Sequence, residues 1–162
     1  MIISMEYSHV CCFTGHRPER LDMPEEKVKK WLEEQINKAI EEKYTDFISG
    51  MQRGVDLWAA EIVLRLKKEG KPVRLIAASA FKGMENRWDQ SWKDRYNAVL
   101  ADADEVNYIS DEPGRKAFFE RNKWMVDHSR RLIAVYTGAP GGTQNTINYA
   151  RKEHLDVYVI GR

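Results

Sequence analysis

Thr45-Asp46-Phe47-Ile48-Ser49-Gly50-Met51-Gln52-Arg53-Gly54-Val55-Asp56 is the stretch on which the fold turns. A short apolar run stops at a glycine, a loop of small and polar residues follows, and a long apolar segment begins at Val55. A brief apolar run bounded by turn residues reads as a buried strand, here over 45–49. Residues 55–68 are apolar around most of their circumference, which predicts a largely buried helix with Gly70 as its C-cap. Strand, glycine loop and buried helix form half of a βαβ unit.

The same unit recurs on both sides. Upstream, residues 9–14 read as a strand ending at Gly15. A polar turn through Pro18 then leads to a helix from Pro24 to about residue 43, in which Val28, Trp31, Leu32, Gln35, Ile36, Ala39 and Ile40 share one face. Downstream, strands are predicted at 73–78, 105–109, 132–136 and 157–160. Helices are predicted at about 85–101 and 116–128, with a short one running to about 154. The alternation predicts an α/β fold: one Rossmann-like three-layer domain over 1–162, its mostly parallel sheet flanked by helices and joined by right-handed crossovers.

Charge and cysteine usage narrow the function. The 26 basic residues offset 25 acidic ones to a net charge of +1, so no broad field favours polyanions, and nucleic acid is not expected as a partner without a local patch. Cys11 and Cys12 are adjacent in a predicted strand, where side chains alternate between faces. They are expected as two free thiols in a reducing compartment. Residues 1–10 lack a basic, then apolar, leader pattern, and no run approaches the roughly 20 apolar residues of a membrane span. A cytoplasmic location with no membrane partner is the expectation.

Ligands of open α/β sheets collect beyond the carboxyl ends of the strands. Three loops there are rich in small and polar residues. Thr14, Gly15, His16 and Arg17 offer a phosphate clamp, or a glycine turn with solvated side chains. Ser49, Gly50, Met51, Gly54 and Asp56 allow close backbone approach, with Asp56 either a helix N-terminal acid or a residue that shapes a site. Gly141, Gly142 and Thr143 precede a helix and can wrap backbone donors around an anion. Arg121 and Asn122 reach toward the same end from the preceding helix, or else pair with surface charges.

Trp88, Trp92 and Tyr96 form an i, i+4, i+8 stripe that is either core or a surface for base stacking or a second copy. Neither a Gly-Lys-Ser/Thr phosphate loop nor a G-x-G-x-x-G is present, and the four histidines have no ligand spacing. No metal and no cofactor are expected beyond a nucleotide-like ligand.

In order along the chain, these loops resemble the YpsA-like family of bacterial proteins, within the SMF/DprA/LOG (SLOG) superfamily of Rossmann-like nucleotide-binding domains. The resemblance rests on Phe13-Thr14-Gly15-His16-Arg17-Pro18, on Ser49 through Asp56, on Arg121-Asn122-Lys123-Trp124-Met125-Val126-Asp127, and on Tyr136-Thr137-Gly138-Ala139-Pro140-Gly141-Gly142-Thr143. It implies a nucleoside monophosphate or ADP-ribose-like ligand between the three loops, bound by a regulatory or sensor protein. LOG-type relatives cleave N-glycosidic bonds with a glutamate shortly after the glycine loop. Here Gln144-Asn145-Thr146-Ile147-Asn148 follows, without a carboxylate to stabilise an oxocarbenium-like state. A hydrolase is thus the alternative reading, with Arg121 orienting phosphate and Asp56 or Glu85 serving the reaction. Single-stranded DNA binding, as in the DprA branch, comes third. A homo-oligomer using the aromatic helix surface is also expected, and no protein partner is indicated.

Overall fold

The computed structural model describes residues 6–161. The expectation about the amino-terminal stretch falls partly on residues 1–5, outside the described residues. Six strands alternate with five helices: β1 (Val10–Gly15), α1 (Glu25–Glu41), β2 (Asp46–Ser49), α2 (Val55–Lys68), β3 (Arg74–Ser79), α3 (Gln90–Asp102), β4 (Glu105–Tyr108), α4 (Arg115–Asp127), β5 (Arg131–Val135), α5 (Gly142–Lys152) and β6 (Asp156–Val159). A single 3-10 turn, Pro18–Arg20, lies between β1 and α1.

All strands are parallel, in the order β4-β3-β2-β1-β5-β6. β1 lies inside the sheet, with Cys12 beside Ile48 of β2 on one side and Leu132 of β5 on the other. A strand covered on both faces needs apolar residues at every position, and the central residues of β1 are all buried. Cys11 and Phe13 face a core shared with α1, α2 and α3. Cys12 faces a second core shared with α4 and α5. Both cysteines are free, on opposite sides of the sheet.

In α1 the buried residues are Val28, Leu32, Ile36 and Ala39, the centre of the face that the spacing predicts, while Trp31, Gln35 and Ile40 at its margins are only partly buried. Fully burying the valine, leucine or isoleucine contributes about 1.5–3 kcal/mol each relative to exposure. No helix among the described residues is long and apolar enough to cross a membrane.

The third helix starts at Gln90 rather than at residue 85. Gly83 (φ 89°) opens a turn in which Asn86 N donates to Gly83 O, Trp88 N donates to Glu85 O, and Met84 is buried. Asp89 then takes an extended conformation (ψ 150°) that keeps the turn separate from the helix. Trp88 therefore lies outside α3, yet it packs edge-on to Tyr96 at 5.6 Å, and Trp92 lies 6.4 Å from Trp58. The Tyr96 hydroxyl is 2.7 Å from Ser79 Oγ in the interior. The aromatic stripe is packed into the core, the first of the two readings that its spacing offers.

Candidate functional site

After β1 the chain turns to α1 on one face of the sheet, whereas after β5 it turns to α5 on the other. These adjacent strands thus diverge at their carboxyl ends and leave a crevice, the usual ligand position in such sheets. A cleft of about 190 Å³ lies there. Thr14, Gly15, His16 and Arg17 line it from the β1 loop, Asp56 from α2, Arg121 and Asn122 from α4, and Gly142 and Thr143 from α5.

The β1 loop can reach this position because Gly15 has no side chain. A Cβ there would fall 2.5 Å from Val55 Cβ, so β1 and the start of α2 would have to separate. The second loop supports the cleft from behind. Ser49 Oγ donates to Asp56 O at 2.8 Å and accepts from Met51 N at 3.2 Å, which ties the end of β2 to the first turn of α2. Ser49, Gly50, Met51 and Gly54 are buried and shape the wall without lining the cleft. Gly141 precedes α5 as its N-cap.

Asp56 and Arg121 supply the buried charge, each about 5% exposed. Asp56 Oδ2 accepts from Gln52 N at 3.3 Å, while Oδ1 is buried with no partner among the described residues. Burial pushes the Asp56 carboxyl up to about 6, opposed by the Arg121 charge and the Gln52 amide. Arg121 Nη1 donates to Gly50 O, and Nε donates to Asn122 Oδ1 at 2.9 Å. Its Nη2 has no partner among the described residues. An isolated buried guanidinium is costly unless its donors are satisfied, so Arg121 is poised to receive an acceptor.

The third loop brings backbone donors. Asn145 N donates to Gly141 O at 3.0 Å and closes the first turn of α5, which leaves the amides of Gly142, Thr143 and Gln144 without helical acceptors. Such amides, at the positive end of the helix dipole, suit an anion. His16 holds this loop in place. Its Nε2 accepts from Thr137 N at 3.2 Å and lies 3.1 Å from Thr137 Oγ1. A ring nitrogen that accepts from an amide carries no proton. Burial, helped by the Arg20 charge, holds the His16 pKa below its ordinary value, so His16 is a neutral latch.

Glu85 does not line the cleft, which leaves Asp56 as the single carboxylate among the described residues that does. Four further residues line the cleft beyond those singled out by sequence: Arg20, Phe118, and Gln52 and Met125 from within the 49–56 and 121–127 stretches. Phe118, Arg121 and Met125 follow the i, i+3, i+7 rule for one helix face, a signal that would have found two of them. Arg20 follows Arg17 by three residues across a 3-10 turn, where that spacing aligns side chains.

The YpsA family model, described as a YspA SLOG family, matches residues 11–160. The chain belongs to this family. Among relatives, it is 34% identical over 142 residues to YoqJ, an SPbeta prophage-derived protein of Bacillus subtilis, covering 80% of this chain and 81% of that one. It is 32% identical to a UPF0398 protein of Halalkalibacterium halodurans, covering 82% and 74% respectively.

Two solved structures share the fold. DNA processing protein A (DprA) of Streptococcus pneumoniae superposes with a TM-score of 0.68 at 19% identity, covering 96% of this chain and 51% of that one. DprA of Helicobacter pylori superposes with a TM-score of 0.65 at 16% identity, covering 94% and 66%. This family member therefore spans only part of either DprA chain. The H. pylori structure concerns a single-stranded DNA binding mode of that protein, so the expectation against nucleic acid, which rested on whole-chain charge, is withdrawn. The physical reason lies in averaging: a net charge of +1 over the whole chain conceals Arg17, Arg20 and Arg121 gathered around one cleft with a single carboxylate.

Proposed function

We propose that the cleft binds a nucleotide or nucleotide derivative, a nucleoside monophosphate or an ADP-ribose-like compound, in a protein that acts as a sensor. The observation that carries this reading is the convergence of the unpartnered Arg121 Nη2 and the free first-turn amides of α5 on one crevice. The phosphate occupies that convergence, and Arg17 and Arg20 add long-range attraction at the mouth. The reading needs no cofactor besides the ligand, and the buried thiols Cys11 and Cys12 fit a reducing cytoplasm.

Titration calorimetry with AMP, ADP-ribose and inorganic phosphate tests it. At least one phosphate compound binds the wild type, and Arg121→Met weakens it by about tenfold or more, as expected for a lost charge-assisted hydrogen bond. Absence of binding by all three compounds would sink the proposal. Free base released from AMP during the same incubation would replace the sensor with the hydrolase reading, in which Asp56 is the carboxylate at hand.

A second reading takes the ligand as one nucleotide of a single strand, and the DprA fold likeness favours it. Fluorescence anisotropy with labelled oligodeoxythymidine separates the two. Strand binding must weaken steeply between low and moderate salt as phosphate contacts are lost.

A further inference from the structure

A second cavity of about 170 Å³ opens between α4 and α5, walled by Phe119, Asn122, Lys123, Asn145, Thr146 and Tyr149. Asn122 lines both this groove and the anion cleft. Its Oδ1 is held by Arg121 Nε, and its Nδ2 lies 3.9 Å from where a Cβ of Gly142 would stand. The amide therefore sits at the junction of the two cavities with its donors uncommitted among the described residues.

The groove has a mixed chemistry. Phe119 is 49% exposed, more than Val106 or Tyr108, the other large apolar residues at the surface. Tyr149 is fixed: its hydroxyl donates to Asp127 Oδ1 at 2.6 Å, and Lys123 Nζ, itself 2.8 Å from Asp127 Oδ2, lies over the ring at 5.7 Å. Its ring is thus a rigid wall rather than a mobile surface group. Asn145 has a side-chain amide without a partner among the described residues, one turn along α5 from the free amides at Gly142. An aromatic face, a rigid ring, the Asn122 donors and the Asn145 amide suit a flat ligand with apolar faces and a hydrogen-bonding edge.

We infer that this α4–α5 groove is a nucleobase subsite, in which the base stacks on Phe119 and presents its edge to Asn122 and Asn145. The inference rests on the nucleotide reading of the adjoining cleft and adds where the base lies. One ligand then runs from the first turn of α5 to its second, phosphate on the amides and base in the groove, with Asn122 bridging them. Phe119, exposed in a helix that has ample polar surface, gains a function from this arrangement.

The test compares ribose 5-phosphate with AMP, GMP, CMP and UMP on the wild type, Phe119→Ala and Phe119→Trp, with circular dichroism confirming that each variant is folded. At least one monophosphate binds the wild type more tightly than ribose 5-phosphate. Phe119→Ala removes that advantage, about tenfold or more, while ribose 5-phosphate affinity stays unchanged, and Phe119→Trp restores it. The subsite is overturned if no monophosphate exceeds ribose 5-phosphate, or if Phe119→Ala keeps the full advantage. Loss of ribose 5-phosphate binding by the wild type itself, with no monophosphate bound either, would overturn the phosphate cleft and the subsite with it.

Discussion

Asp56 and Arg121 crowd Gly50 so closely that a Cβ on that glycine would lie 2.9 Å from Asp56 Oδ2 and 3.0 Å from Arg121 Cζ. The two buried charges are spaced by the absence of a side chain. Gly50→Ala must displace one of them, and neither can move into solvent without leaving its hydrogen bonds. The variant is expected to lose about 1–3 kcal/mol of stability in urea unfolding, the usual range for overpacking, and to bind phosphate compounds more weakly. Unchanged stability and affinity would show that the wall is softer than its geometry implies.

The raised Asp56 pKa fixes a pH signature. Its ordinary value is near 4 and its folded value about 6, so the folded protein binds this proton more tightly than the unfolded chain does. The stabilisation is fully present below about pH 4 and is lost as pH rises through about 6. Compared with Asp56→Asn, the wild type should therefore lose about 1–3 kcal/mol of relative stability between pH 4 and pH 7. Parallel denaturation curves at both pH values measure it, and a difference that does not change with pH would place the folded pKa near 4.

Arg17 and Arg121 should separate kinetically and thermodynamically. Arg17 is about half exposed and lies 3.8 Å from Glu19, so its charge is screened by water and partly offset. Arg17→Ala is expected to reduce phosphate-ligand affinity two- to fivefold at most, roughly the 1 kcal/mol scale of a surface charge, with the effect fading in salt. Arg121→Lys is expected to lose more despite keeping the charge, because a lysine cannot reproduce the contacts to Gly50 O and Asn122 at once. Calorimetry at two salt concentrations distinguishes the two patterns.

Gly142→Asp tests the helix terminus without disturbing the core. The nearest atom to a Cβ there is Asn122 Nδ2 at 3.9 Å, an ordinary contact, and the position is exposed. A carboxylate at this place satisfies the free amides internally and repels an incoming phosphate. The variant should melt at or slightly above the wild-type temperature and fail to bind any phosphate compound. Retained binding would move the anion away from α5.

How much of this was readable in advance depended on whether the cause was local. The strand and helix order follows from patterns within a dozen residues, and so does the buried face of α1. The 49–56 loop was legible as a glycine-rich turn, but the need for Gly50 arises from Arg121, which lies 71 residues further on. Met51 looked like a loop residue available to a ligand, whereas the fold buries it completely at φ 66°. The helix expected from about residue 85 begins at Gln90 for the same reason: Met84 turns into a core assembled from distant segments. Net charge was no guide to the site, because a sum over the chain carries no information about where three arginines meet.

The hydrogen bond from Thr137 to His16 joins residues 121 positions apart. A chain emerging from the ribosome exposes its first two loops long before the third exists, so no partial product contains the whole crevice. Contacts of such long range form late in folding. A ligand that needs all three loops can therefore stabilise only finished molecules, by mass action, and offers nothing to truncated ones. Its cellular concentration would then set the survival of complete chains against proteolysis, while fragments are cleared at a rate indifferent to it.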